Sequence, residues 1–399
     1  MQFDFTTIID RRGMDSIAAN HIPFSDVAVK EGFDPIPMWI ADMSFATAPS
    51  VLDAMQNRLA HPTFGYFSTS EEYKNGIINW QKKRNGVCQI SWDDIGFDNS
   101  VLGGLMSAVN ATASRGSSIL IHSPTYIGFT SSLIGAGYKL VHSPLTPDEN
   151  GVMRMDFDDM EKKLAENDIH TAVFCSPHNP TGRVWERWEL EKAAELFKKY
   201  DVQVISDEIW SDLILEGHKH IPFQSVSEDA RNRTVGLYAI TKTFNLAGLV
   251  GSYHIIYNKA LRDRVKREAS LSHYNGMNVF SMHALVGAYC ETGEAWLEEL
   301  RSVLTQNIKY AREFILNNFD GVEPSDPEGT YMLFLDCTKW CEKHGRTIDE
   351  LQHAGVEVGV IWQDGRPFGG PCHIRMNLAL PFSRLKEALD RIKTYVFND

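Results

Sequence analysis

From about residue 100 onward, short β-rich apolar runs alternate with helical stretches. The runs are Ser118–His122, Tyr138–His142, Thr171–Cys175, Val202–Ile205, Thr234–Tyr238 and Ser252–Tyr257, and the clearest helix between them is Trp185–Tyr200. Such alternation predicts βα units on a mostly parallel central sheet with helices on both faces. Ahead of it, residues 51–61 and 70–84 carry apolar positions at helical spacing, with Thr63-Phe64-Gly65-Tyr66 between them. Residues 1–50 read as an irregular arm broken by Pro23, Pro35 and Pro37. After about residue 285 the pattern changes. A long amphipathic helix from Ala284 to Asn317 is followed by an antiparallel-looking strand Thr330–Asp336, a helix near Ile348–Ala354, a strand Val356–Ile361, a Gly-rich turn and a last helix Arg384–Phe397. The organisation expected is an α/β protein with three parts. An N-terminal arm (1–50) contributes to a small domain, a large domain covers 51–285, and a small C-terminal α+β domain covers 286–399.

Composition narrows what such a fold serves. At 399 residues and 43% hydrophobic, the chain has ample material for large cores. A net charge of −13 argues against nucleic acid, because few cations would displace counterions from a phosphate backbone. Six cysteines are scattered without a CxxC pair, which suits free thiols in a reducing compartment. Cys337, Cys341 and His344 have the chemistry of metal ligands, but with no second cysteine pair a structural role is the favoured reading. Met1 to Arg12 is charged and lacks a signal-peptide core, and no apolar run approaches the ~20 residues of a membrane span. The expectation is a cytoplasmic protein with no membrane contact.

Parallel sheets place ligands at the carboxyl ends of their strands, so the residues closing the apolar runs are the candidates. Lys242 follows Val235–Ile240 and sits between Thr241 and Thr243, just before the small-residue turn Asn245-Leu246-Ala247-Gly248. Partial burial there would lower its pKa, and a neutral amine is the form that attacks an aldehyde. A solvated cap is the plainer reading of the same lysine. Asp207 ends a buried run, a costly place for a carboxylate unless a cation meets it or it caps the next helix. Asn179 lies between Pro177 and Pro180-Thr181-Gly182 and can aim a neutral donor inward, or simply form a turn. Asn99-Ser100-Val101-Leu102-Gly103-Gly104 opens a helical stretch whose first amides suit an anion. Tyr126 follows another run and could present its ring to a flat ligand.

Taken together, with Arg375 late in the chain, these segments resemble the pyridoxal-phosphate enzymes of aminotransferase fold type I. Met38-Trp39-Ile40-Ala41-Asp42-Met43, Phe174 to Pro180, Thr241 to Gly248 and Arg375-Met376-Asn377 resemble the carbon–sulfur β-lyase branch, the cystalysin-like MalY/PatB proteins. The resemblance implies pyridoxal 5'-phosphate as cofactor, with Lys242 holding its aldehyde and acting as general base, and Asp207 facing the pyridine nitrogen. It implies Tyr126 stacked on the ring and Asn179 donating to the phenolic oxygen. Val101 and Leu102 amides and the Thr241 hydroxyl would take the phosphate, with Tyr66 reaching it from the neighbouring subunit of a homodimer. Arg375 would bind the carboxylate of an amino-acid substrate, helped by the backbone at Ala41.

Three positions depart from the family pattern. Ser44 stands where the branch has a second aspartate. Trp210, near the cofactor oxygen, can donate but not accept. Val250 stands where many aminotransferases place an arginine on the phosphate. The reaction implied is β-elimination from cystathionine or a related cysteine thioether, giving a thiol, pyruvate and ammonia. The alternative is transamination between an amino acid and a 2-oxo acid.

Overall fold

The computed structural model describes residues 2–272 and 275–398. Its centre is an eight-stranded sheet. From edge to edge the strands are Ile95–Asp98, Ser252–Ile255, Thr234–Tyr238, Gln203–Asp207, Thr171–Cys175, Ser118–Ser123, Lys139–Pro147 and Met153–Met155. The five strands from Thr234–Tyr238 to Lys139–Pro147 pair in parallel, while Ser252–Ile255 and Met153–Met155 run against their neighbours. Thr171–Cys175 and Thr234–Tyr238 are buried at every position, as expected of strands covered on both faces. One face packs Leu120, Ala172, Phe174 and Val204 against the helices Phe157–Glu166 and Arg187–Lys199. The other packs Ile119, Val173, Ile205 and Leu237 against Val101–Thr112 and Lys259–Ser272.

A second sheet, antiparallel and four-stranded, has the order Glu323–Pro324, Met332–Asp336, His373–Asn377, Gln363–Asp364. The N-terminal arm is stitched to this part of the chain. Ile36–Pro37 pairs in parallel with Val360–Ile361, and Asn377 N donates to Met38 O at 2.7 Å. The arm's next residues therefore lie beside the strand carrying Arg375.

Several sequence expectations need correction. The long helix is two, Val279–Ala288 and Glu291–Asn318. Apolar spacing continues across the break, but the Cys290 sulfur caps the second helix from Gly293 N, and Tyr289 turns out to stack on Trp80 at 4.4 Å. Val356 and Glu357 belong to the helix Ile348–Glu357, which a reciprocal Thr347/Glu350 cap begins. The strand after it shrinks to Val360–Ile361, because Gly359 at φ +77 makes the turn. A short buried run cannot tell strand from helix by periodicity. Thr330, at φ +68, likewise belongs to the turn before Met332–Asp336.

Candidate active site

Asp98, Ser123, Cys175, Asp207 and Tyr238 end strands that run the same way, so the loops after them converge on one edge of the large sheet. There they enclose a cleft of about 160 Å³. Ala41, Val101, Leu102, Tyr126, Asn179, Asp207, Trp210, Thr241 and Lys242 all line it, together with Val250 and with Cys175 and Ile209, which sequence reasoning did not single out.

Lys242 lies in the four-residue helix Ile240–Thr243 that follows the strand Thr234–Tyr238. Its Nζ donates to Ala41 O at 2.7 Å. Desolvation, and after it the positive charge of Arg375, bring its pKa down to about 8, against the opposing pull of Asp42 and Asp207. At neutral pH a useful fraction of this amine is unprotonated. Asp207 is 4% exposed, and its carboxyl accepts from Ile209 N at 3.0 Å. The residues after it form turns rather than a helix, so it caps no helix. Burial pushes its pKa up to about 7, the neighbouring Glu208 adding to the rise. Glu208 points away from the cleft, held by Ser206 Oγ (2.9 Å), Phe223 N (3.0 Å), His220 Nε2 (2.8 Å) and Tyr238 OH (2.7 Å). Asp207 makes no ion pair among the described residues. A cationic ring nitrogen would supply the missing partner.

The guanidinium of Arg375 is 4% exposed and also without a carboxylate partner among the described residues. It donates to Asn179 Oδ1 and to Trp39 O, both at 3.1 Å, lies 4.4 Å over the Phe368 ring, and keeps a buried Nε with no acceptor. Desolvation lowers its pKa to about 10. Because Asn179 Oδ1 is taken by Arg375, its Nδ2 is the end left to donate into the cleft. A buried cation flanked by neutral acceptors is poised for an incoming carboxylate.

At the other end of the cleft, the helix Val101–Thr112 starts with Ser100 capping Gly103 N at 3.0 Å. The amides of Val101 and Leu102 are N-terminal donors without intrahelical partners, and the Thr241 hydroxyl lies on the same cleft. Val250 adds no charge, so an anion there relies on dipoles and hydroxyls. Trp210 is buried edge-on to Tyr331, with ring centroids 4.8 Å apart, and no bond engages its Nε1 among the described residues. Tyr66 lies apart from this cleft and is fully exposed.

Sequence reasoning passed over two asparagines that hold the cleft's wall. Asn245, at φ +57, donates to Met43 O and Phe45 O (3.0 Å each) and accepts from Met43 N at 2.9 Å. Asn377 donates to Ile40 O at 2.8 Å and to Asp42 O. Both lie in segments whose resemblance was noted, three residues after Lys242 and two after Arg375, which was the available signal.

The sequence pattern described as aminotransferase class I and II matches residues 35–392. The chain is 34% identical to cystathionine beta-lyase PatB of Bacillus subtilis over 363 residues, 90% of this chain and 92% of that one. It is 30% identical to protein MalY of Escherichia coli over 97% of each. A solved structure, the PLP-bound C-S lyase from Staphylococcus hominis, is similar with a TM-score of 0.89 at 31% identity, covering 100% of this chain and 99% of that one. The residues lining the cleft fit pyridoxal phosphate: a softened lysine for its aldehyde, an unpaired buried acid for its ring nitrogen, free helix-start amides for its phosphate. The chain belongs to the aminotransferase class I and II family, and within it to the pyridoxal-phosphate-dependent carbon–sulfur lyases similar to PatB and MalY.

Proposed function

We propose that this enzyme is a cytoplasmic, homodimeric β-lyase that cleaves L-cystathionine or related cysteine thioethers. The net change is thioether plus water to thiol, pyruvate and ammonium. The observation that carries the reading is the pair Lys242 and Arg375. A partly buried amine with lowered proton affinity lines the cleft, and behind Asn179 of the same cleft lies a buried guanidinium that lacks an acid and whose charge acts on that amine, in a chain similar to PatB. Bound pyridoxal phosphate supplies an electron sink for the α-carbon of an amino acid.

The protein's own groups do the rest. Arg375 grips the substrate α-carboxylate through a charge-assisted contact, replacing neutral acceptors with an anion. Lys242 would hold the cofactor aldehyde and, with substrate bound, would accept the proton from the substrate α-carbon. Asp207 would keep a proton on the ring nitrogen, Asn179 would donate to the phenolic oxygen, and Tyr126 would flank the ring. Val101, Leu102 and Thr241 would hold the phosphate, and Trp210, on the same cleft, would stand near the ring. The exposure of Tyr66, with Phe64 and Phe67 exposed nearby, supports its reaching into a partner's cleft. All six cysteines are free, which supports a reducing compartment, and no described helix is long and apolar enough to cross a membrane.

The test is incubation of the cofactor-loaded protein with L-cystathionine. Pyruvate and a free thiol in equal amounts support the proposal. A 2-oxo acid that keeps the sulfur, with the cofactor left in its amine form, would instead establish transamination.

A further inference from the structure

We propose that the ion pair Arg11–Asp42 is a subsite for the far end of the substrate, selecting cysteine thioethers whose leaving group carries its own carboxylate and ammonium. This deepens the lyase reading and rests on it.

The backbone of residues 39–42 spans the two groups that would fix an amino acid. Trp39 O is bonded by Arg375 at 3.1 Å, and Ala41 O by Lys242 at 2.7 Å. In the proposed subsite, the side chain of a substrate held by both would run beside this segment, out of the cleft that Ala41 lines. Asp42 follows directly, and its carboxylate acts on the Lys242 amine ahead of Asp207. Arg11 Nη1 lies 2.9 Å from Asp42 Oδ1 and donates to Met43 O at 3.2 Å. The two side chains are 19% and 26% exposed, so solutes reach both.

Neither has another ionic partner among the described residues, and one edge of the guanidinium and one carboxylate oxygen stay uncommitted. Side by side, those vacant groups match an α-amino acid: carboxylate to Arg11, ammonium to Asp42. Arg11 also lines a separate cleft of about 160 Å³ with Ile8, Ile9, Asp10, Arg12 and Ser44, which shares no lining residue with the Lys242 cleft. The pair is not needed to pin the arm. Phe5 is buried against Phe45 and Trp296 at 5.2 and 5.6 Å, and Glu299 accepts from Gln2 N and Phe3 N at 2.6 and 3.0 Å.

The experiment measures kcat/KM of the holoenzyme on S-ethyl-L-cysteine, S-carboxymethyl-L-cysteine and S-(2-aminoethyl)-L-cysteine. Dividing by the S-ethyl value within each variant cancels the shared chemistry. Arg11→Met should lower the carboxymethyl ratio roughly tenfold or more, and Asp42→Asn the aminoethyl ratio likewise, as loss of a charge-assisted contact predicts. Arg11→Lys, which keeps the charge, should retain most of the ratio. In a Lys242→Ala background, which binds without turnover, calorimetric titration should show L-cystathionine bound more weakly once Arg11→Met is added. Ratios that do not move, or an equal loss on all three substrates, overturn the subsite while leaving the lyase standing. Absence of pyruvate from all three and from L-cystathionine with the wild-type enzyme overturns both.

Discussion

Burial sets the chemistry of single residues here, in opposite directions for acids and bases. Lys242, brought down to about 8, is half of the argument for a nucleophilic and basic amine. Its replacement by alanine removes both the anchor and the base, so pyruvate formation should drop by at least the roughly 10²–10⁴-fold that a general base contributes. A near-normal rate would assign the base elsewhere. Arg375→Ala should weaken substrate binding by about 1.5–3 kcal/mol, seen as a raised KM. Asp207 gives a pH signature. Its folded pKa of about 7 lies above its ordinary 3.8, so the folded state favours the protonated acid. Stability of the cofactor-free protein therefore falls as pH rises from about 4 to 7. Asp207→Asn should melt higher than wild type in cofactor-free form at pH 7.5, with the gap closing near pH 4. A gap that stays constant with pH would mean that the acid is not buried unpaired.

The turn Ser176–Gly182 shows what an element adds. It carries Asn179 to the cleft and docks on the small sheet's approach, since Gly182 O accepts from Glu328 N and Gly329 N at 2.8 and 2.9 Å. At φ +76, a Cβ on Gly182 would meet Pro327 Cβ at 2.3 Å. Gly182→Ala should cost at least about 1 kcal/mol and displace Asn179, read as a lower melting temperature with weaker cofactor absorbance. Within the turn burial lowers His178 to about 3, and on the neighbouring strand it lowers His122 to about 4, both neutral in the fold. Unfolded histidines titrate near 6.5, so stability should decline as pH falls from about 6.5 toward 3–4. Urea denaturation of a His178→Asn variant should show a shallower decline. The strands that carry these turns were legible because an apolar run between turn residues has few other readings. The C-terminal part of the chain, with the four-stranded sheet, was less so. Val356 and Tyr289 are apolar at positions where tertiary contacts, a capped helix in one case and stacking on Trp80 in the other, decide the boundary.

Across the whole molecule, the candidate cleft was readable where one residue per strand end carries the chemistry. It was not readable where the wall is built from far apart in sequence. Asn245 and Asn377 clamp residues 40–45, and Arg11 meets Asp42, through folding that no local pattern records. In the proposed homodimer the same long-range logic would extend to a second subunit through Tyr66. Mixing and exchanging subunits of Lys242→Ala and Tyr66→Ala, each nearly inactive alone, should restore about a quarter of wild-type activity, half the dimers being mixed with one intact site each. No recovery would argue against a shared site. The central assignment, that Lys242 is the residue that takes the cofactor, is tested most directly by borohydride reduction of the loaded protein, digestion and peptide mass analysis. A single pyridoxyl group on Lys242 is the expected result. A group on any other lysine, or no label, would contradict the account.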